Sequence, residues 1–177
     1  MTSTVVHVHH PLIEHSLSII RDKHTPTDIF RRHASVVSQI VLLEATKTLS
    51  LQSISFETPL ESMTGHKLTE SIVLVPVLRA GLAMLFASQE LLPQAAVGFL
   101  GLERDEHTAI ARSYYQKLPA IFADSEVFIL DPMLATGHSA IAAVSRLKET
   151  NPKSIKFVSL LCAPEGIRNF HEEHPEV

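Results

Sequence analysis

Val127-Phe128-Ile129-Leu130-Asp131-Pro132-Met133-Leu134-Ala135-Thr136-Gly137-His138-Ser139, continuing through an Ala-rich run to Leu147, is the stretch that decides the fold. Four consecutive apolar residues, β-branched and aromatic among them, suit a strand buried on both faces. From Ser139 to Glu149 the residues Ile141, Val144 and Leu147 fall on one stripe, as in an amphipathic helix. Between strand and helix stand a carboxylate and a turn of small residues carrying two hydroxyls. A strand, an acid and a turn that opens a helix together suit a phosphate, because the first helical N–H groups lack intrahelical partners and the helix dipole favours an anion. The same residues also admit a purely structural role, with Asp131 capping the turn and Thr136 and Ser139 capping the helix.

The surroundings of this stretch alternate strand and helix. Ile72 to Val77 is a continuous apolar strand, followed by a tight Leu78-Arg79-Ala80-Gly81 turn and a helix to Leu92. Ala96 to Leu100 and Ile155 to Cys162 are further strands, and Glu165 to Glu173 is a short helix. Strands spaced by helices predict an α/β fold with an open, mainly parallel sheet and helical crossovers. Gly101 to Pro119 is charged, has no clean period and is expected as an exposed arm. Before Ile72, Pro11 opens a helix to Arg21, and Thr25-Pro26-Thr27-Asp28 begins a longer helix reaching Thr48, with the Thr25 hydroxyl as its cap. Ile54, Phe56 and Thr58 alternate as in a half-buried strand, with Ser62 to Lys67 as a hairpin tip.

Composition narrows the function classes. A length of 177 residues with 45% hydrophobic content fits one domain with a real core. The formal net charge of −4 argues against a nucleic-acid-binding surface. Val5, Val6 and Val8 are interrupted by histidines, so they do not read as a signal peptide, and no apolar run approaches the ~20 residues of a membrane helix. The one cysteine, Cys162, reads as a buried small hydrophobe, with no disulfide framework and the cytoplasm as the simplest setting. His7, His9 and His10, and the pair His171 and His174, lack the further ligand that a zinc site needs. Neither a Gly-x-x-x-x-Gly-Lys loop nor a Gly-x-Gly-x-x-Gly fingerprint occurs.

Asp131 lies where open α/β sheets bind ligands, at the carboxyl end of a strand. A carboxylate accepts hydrogen bonds from vicinal hydroxyls and the turn accepts a phosphate, which is the pattern of a ribose 5-phosphate. Arg79 stands at the same edge after another strand, and its planar fork suits bidentate phosphate binding, though a solvated or salt-bridged arginine would also fit there. Arg104 offers a second cation from the expected arm. Tyr114 and Tyr115 would close over a ligand or simply pack.

The strings Asp131-Pro132-Met133-Leu134-Ala135-Thr136-Gly137 and Val75-Pro76-Val77-Leu78-Arg79-Ala80-Gly81 closely resemble those of uracil phosphoribosyltransferases. The resemblance extends in order through Gly101-Leu102-Glu103-Arg104-Asp105, Tyr115-Gln116-Lys117-Leu118-Pro119 and Ala163-Pro164-Glu165-Gly166. It implies a type I phosphoribosyltransferase fold: an open sheet flanked by helices, an N-terminal helical region and a protruding hairpin or arm. The implied reaction transfers ribose 5-phosphate from phosphoribosyl pyrophosphate to uracil, giving UMP and pyrophosphate in pyrimidine salvage. Arg79 and Asp131 would be catalytic. Asp131 would hold the ribose hydroxyls, while the loop through Pro132, Met133, Leu134, Ala135, Thr136, Gly137, His138 and Ser139 would bind the donor, its last five residues around the 5-phosphate. Arg79 and Arg104 would hold the pyrophosphate. Mg2+ would arrive with the substrate rather than in a protein cage. A homodimer or larger homo-oligomer, and GTP as an allosteric activator, are also implied.

The chain departs from that pattern in two places. His138 stands where the family usually has a small residue, commonly glycine. The family's C-terminal Gly-rich segment, which recognises uracil, has no counterpart in residues 1–177, which therefore read as a single domain truncated at its C-terminus. Two readings follow: a uracil phosphoribosyltransferase, or a catalytically inactive homologue that binds phosphoribosyl pyrophosphate or serves only as a partner subunit.

Overall fold

A computed structural model of the chain describes residues 5–104, 111–121 and 123–177, without the side chains of residues 104 and 111–113. Its N-terminal part is helical. Helix α1 (Pro11–Ile20) is capped by His10, whose Nδ1 accepts the Leu12 N–H at 3.1 Å. Helix α2 (Thr27–Ala45) starts one residue later than the hydroxyl-cap pattern predicts. Pro26 occupies its N-cap position, and the Thr25 hydroxyl instead donates to the Ile19 carbonyl at 2.6 Å, closing the end of α1. The long-range contact outcompetes the local cap.

Strands β1 (Leu51–Glu57) and β2 (Ser62–Leu68) form a separate antiparallel hairpin. The expected tip at Ser62 to Lys67 is in fact the returning strand, and the turn lies at Thr58 to Glu61, closed by the Thr58 N–H on the Glu61 carbonyl at 2.9 Å. The half-buried expectation for β1 also fails, since all seven of its residues are exposed. Alternation there marks an apolar face that no other described element covers.

The central sheet follows. Its elements in order are β3 (Ser71–Leu78), α3 (Leu82–Leu91), β4 (Ala96–Val97), β5 (Phe99–Arg104), β6 (Ala111–Lys117) and β7 (Ser125–Leu130). Then come β8 (Met133–Leu134), α4 (His138–Lys148), β9 (Ser154–Val158), β10 (Leu161–Cys162) and α5 (Pro164–Glu173). The strand order is β6-β5-β3-β7-β9, with β4 also on β3, and every pairing in it is parallel except β5 with β6. Where it is described, the stretch from Gly101 to Pro119 takes the hairpin form that the family resemblance implies rather than that of an irregular arm: β5 and β6 pair antiparallel and widen the sheet. Their register shifts between Gly101 and Leu102, which breaks the alternation the sequence would otherwise display.

Strand alternation sorts the core into two halves. Val73, Val75 and Val77 of β3, with Val127 and Ile129 of β7, pack against Ala140, Ala143, Val144 and Leu147 of α4 and Phe170 of α5. Ile72, Leu74, Phe128 and Leu130 face the other way, against Leu42 of α2 and Met84 and Leu85 of α3. Helices on both faces explain why β3 and β7 read as continuous apolar runs. Cys162 departs from its expectation: it is exposed, at the rim of the small β8–β10 pair. His174, read from the sequence only as a zinc ligand lacking partners, is buried and fastens α5 to α4. Its Nε2 lies 3.1 Å from the Ile141 carbonyl and its Nδ1 lies 2.8 Å from Lys148 Nζ. A carbonyl only accepts, so Nε2 is the nitrogen that donates to Ile141. No helix among the described residues is long and apolar enough to cross a membrane.

The amino ends of the central strands carry buried charge. Glu70, just before β3, accepts from Lys153 Nζ at 2.7 Å and from the Ser50 N–H at 3.1 Å, and its side chain is 2% exposed. Glu126 of β7 takes the Ser154 hydroxyl and lies 3.5 Å from Lys153 and 3.7 Å from Lys156. The Lys153 ammonium, with further help from the Ser50 and Thr69 hydrogen bonds, holds the Glu70 carboxyl well below the usual carboxylate range. A carboxyl more acidic when folded stabilises the fold above its unfolded pKa, and that contribution is lost as pH falls. Glu70→Gln is expected to lower the melting temperature at pH 7, with the gap to wild type narrowing towards pH 3 in thermal denaturation.

Candidate functional site

The parallel pairing of β3 with β7 places Pro76 opposite Leu130, so the turns that follow these strands leave the sheet side by side. One turn carries Arg79 and the other Asp131. Their closeness is enforced at Gly81: a Cβ there would lie 2.3 Å from the Leu130 carbonyl oxygen and 2.7 Å from the Val77 nitrogen. Only glycine lets the two turns approach so far. Gly81 N–H closes its own turn on the Val77 carbonyl at 2.8 Å, and the Leu78–Arg79 peptide is cis.

Arg79 is exposed and makes no ion pair among the described residues, so the salt-bridge alternative is not realised there. It borders an open cavity of about 530 Å³ together with Leu78, Leu102, Glu103 and Tyr114. The Tyr114 ring lies over Gly101, where a Cβ would come within 2.6 Å of it. Tyr114 thus both packs and faces the cavity; Tyr115 is exposed on the same strand. Arg104 ends β5 on this side of the sheet, and its side chain lies outside the described residues.

Asp131 is half-buried and accepts one long backbone bond, from the Met133 N–H at 3.4 Å. Burial raises its pKa to about 6 from the usual 3.8, only partly opposed by the Met133 contact. A carboxylate merely capping a turn would be stabilised by its donors; this one is under-supplied with them.

The loop after Asp131 is gripped from behind. The Leu160 and Leu161 N–H groups reach the Pro132 carbonyl at 3.2 and 3.1 Å, and the Ala163 N–H reaches the Leu134 carbonyl at 2.8 Å. Gly166 of α5 sits so close that a Cβ would meet the Ala135 carbonyl oxygen at 2.4 Å, and Asn169 Nδ2 donates to the Thr136 carbonyl at 2.9 Å. Gly137 then turns the chain into α4 with φ 90°, a left-handed value suited to glycine. No side chain caps α4 at that position, so the expectation that Thr136 or Ser139 is a helix cap fails. The Thr136 hydroxyl lies 2.9 Å from His138 Nδ1, while the His138 ring is exposed.

Arg79, Asp131 and the loop from Pro132 to Ser139 are thus gathered at the carboxyl edge of the sheet. Sequence reasoning did not single out Gly81, Asn169 or the cavity-lining Glu103, nor the role of Gly166 behind the loop. The signal for the glycines was present, because Gly81 and Gly166 are two of only six glycines in the chain. Asn169 carries no such mark. The arrangement offers a hydrogen-bond acceptor flanked on one side by a guanidinium and on the other by an amide-lined turn at a helix start. Such a set of groups can accept a polyhydroxylated molecule with anionic groups at both ends.

Comparisons with known proteins agree with this chemistry. The sequence model of the family described as uracil phosphoribosyltransferase matches residues 6–177. A uracil phosphoribosyltransferase from Delftia acidovorans is 45% identical over 176 residues, 99% of this chain and 84% of the relative. One from Variovorax paradoxus is 46% identical over 176 residues, with the same shares covered. A solved structure from Aquifex aeolicus superposes with a TM-score of 0.92 at 35% identity, over 98% of this chain and 84% of that one. A hypoxanthine phosphoribosyltransferase from Staphylococcus aureus shares the fold at 14% identity and a TM-score of 0.55, over 76% of this chain and 65% of that one.

A group whose folded pKa is raised costs stability once ionised. Asp131 is therefore expected to lower the stability of the ligand-free protein as pH rises from about 4 to about 6. Asp131→Asn should remove that decline and melt at a higher temperature than wild type at pH 7.5, as measured by calorimetry; a lower melting temperature would refute the assignment of burial as the cause.

Proposed function

Because the chain belongs to the uracil phosphoribosyltransferase family, a family of pentosyl-transferring enzymes, we propose that it moves ribose 5-phosphate from phosphoribosyl pyrophosphate to uracil. The observation that carries the reading is the forced contact of Gly81 with the Leu130 carbonyl, which makes one continuous surface of the Arg79 and Asp131 turns. In the proposed complex the Asp131 carboxylate accepts the ribose hydroxyls, supplying the donors its half-buried position lacks. The amides from Ala135 to Ser139 and the start of α4 hold the 5-phosphate, and Arg79 holds the pyrophosphate, with Arg104 as a second cation.

The chemistry asks for charge stabilisation rather than a nucleophile. As the bond to pyrophosphate breaks, positive charge gathers on the ribose and negative charge on the leaving group. A guanidinium already positioned there stabilises the departing anion more than the bound substrate, which is the condition for acceleration. A carboxylate on the hydroxyls opposes the developing charge on the sugar and fixes the ring. Among the described residues no three His, Cys, Asp or Glu side chains converge on one point, and Asp131 stands alone with oxygens to spare. That donor set fits Mg2+ held mainly by substrate oxygens and water, with the ion neutralising the pyrophosphate when bound.

A homo-oligomer is part of the same proposal. Ile54, Phe56 and Met63 share one face of the β1–β2 hairpin, and each is exposed. An apolar face on a hairpin standing apart from the sheet suits burial against a second copy. Cytoplasmic localisation is consistent with a single cysteine and with the absence, among the described residues, of a helix long and apolar enough to cross a membrane.

Arg79→Ala and Asp131→Asn are each expected to reduce UMP formation from uracil and phosphoribosyl pyrophosphate by on the order of 10²–10³. Full activity in both variants would remove the site assignment. Pyrophosphate-donor binding without any turnover in wild type would instead favour an inactive homologue. Phe56→Ser should shift the sedimenting species towards monomer in analytical ultracentrifugation without lowering the melting temperature markedly.

A further inference from the structure

The Leu134, Ala135 and Thr136 carbonyls turn towards α5 and the residue before it, whereas the Gly137 carbonyl starts the α4 ladder by accepting the Ile141 N–H at 2.9 Å. The Leu134 carbonyl accepts the Ala163 N–H at 2.8 Å, the Ala135 carbonyl abuts Gly166, and the Thr136 carbonyl accepts Asn169 Nδ2 at 2.9 Å. In a trans peptide the carbonyl and the following N–H point in opposite directions. Turning these three successive carbonyls towards α5 and the residue before it therefore aims the amides of Ala135, Thr136 and Gly137 away from α5, where successive N–H groups suit an anion. The Leu134 carbonyl is held by a backbone N–H, the Ala135 carbonyl is packed against Gly166, and the Thr136 carbonyl is held by the Asn169 side chain.

We propose that Asn169 is a positioning residue: by holding the Thr136 carbonyl, it orients the Thr136–Gly137 peptide so that the Gly137 amide faces the bound 5-phosphate. The inference rests on the phosphate role assigned above to this loop. Asn169 touches no ligand in this account. It is half-buried on the rear of the turn, and its contact lies immediately before the left-handed Gly137, the residue with the most backbone freedom in the loop. Losing the Asn169 donor loosens the orientation of this peptide, and the Gly137 amide is then aimed less well at the phosphate. His174 supports the arrangement from farther along α5 by its bond to the Ile141 carbonyl, so the helix stays docked when one contact is removed.

The test separates the two ends of the site by using two small anions. Ribose 5-phosphate probes the loop, and inorganic pyrophosphate probes Arg79. Asn169→Ala and the nearly isosteric Asn169→Leu, neither of which can donate, are titrated by calorimetry against both ligands. Each variant is expected to weaken ribose 5-phosphate about tenfold, the effect of losing one oriented hydrogen bond, and to leave pyrophosphate binding unchanged. Unchanged ribose 5-phosphate affinity in both variants would overturn the proposal. Equal weakening of both ligands would overturn it as well, because a merely structural loss does not discriminate between them. Wild type that binds pyrophosphate but no ribose 5-phosphate would overturn the phosphate role of the loop itself, and this inference with it.

Discussion

The parallel pairing of β3 and β7 is the constraint on which the rest of the molecule depends. It runs through six residue pairs, from Ser71 with Ser125 to Pro76 with Leu130, and it ends where β7 leaves the sheet, while β3 continues to Leu78 against β5. Because side chains alternate across a strand, the same register divides the core between α4 with α5 on one side and α2 with α3 on the other. A slip of one residue in β7 would exchange its two apolar sets and draw Asp131 into the ladder. The position of the acid and the partition of the core are therefore one fact.

The two ends of that sheet solve opposite electrostatic problems. At the amino ends of the strands, Glu70 and Glu126 are surrounded by Lys153, Lys156 and hydroxyl donors. At the carboxyl ends, Asp131 has one long backbone contact and Arg79 makes no ion pair among the described residues. Satisfied charges hold a structure; under-satisfied ones wait for a ligand. The chain thus keeps its strain at the end where it is useful.

How far the residues announced this depends on the range of the interactions involved. β3, β7 and α4 were legible because burial on both faces, or on one stripe, leaves a pattern within a dozen neighbours. Asp131 and Arg79 were legible from their place at strand ends. Thr25 was misread because its local cap competes with a carbonyl six residues back, and β2 was misread because a strand with no buried residue has little burial to imprint on its composition. β6 hid behind a register shift in its partner β5. Asn169 stayed invisible for a different reason. Its partner, the Thr136 carbonyl, is backbone, and a contact with backbone leaves no complementary residue to notice. Cys162 ends an apolar run of which Ile155 and Val158 are buried, while its own place at the rim is set by the short β8–β10 pair.

The backing of the loop by β10 and α5 has a consequence for how the molecule is made. The residues from Asp131 to Ser139 emerge during synthesis before the segment Leu160 to Asn169 that grips them. The sheet from β3 to β7 can pair, and both its faces can begin to collect helices, while the loop still lacks its rear wall. Phe170, which completes one half of the core, lies on that same helix α5, so the backing of the loop and the last part of the core are supplied by one late segment of the chain.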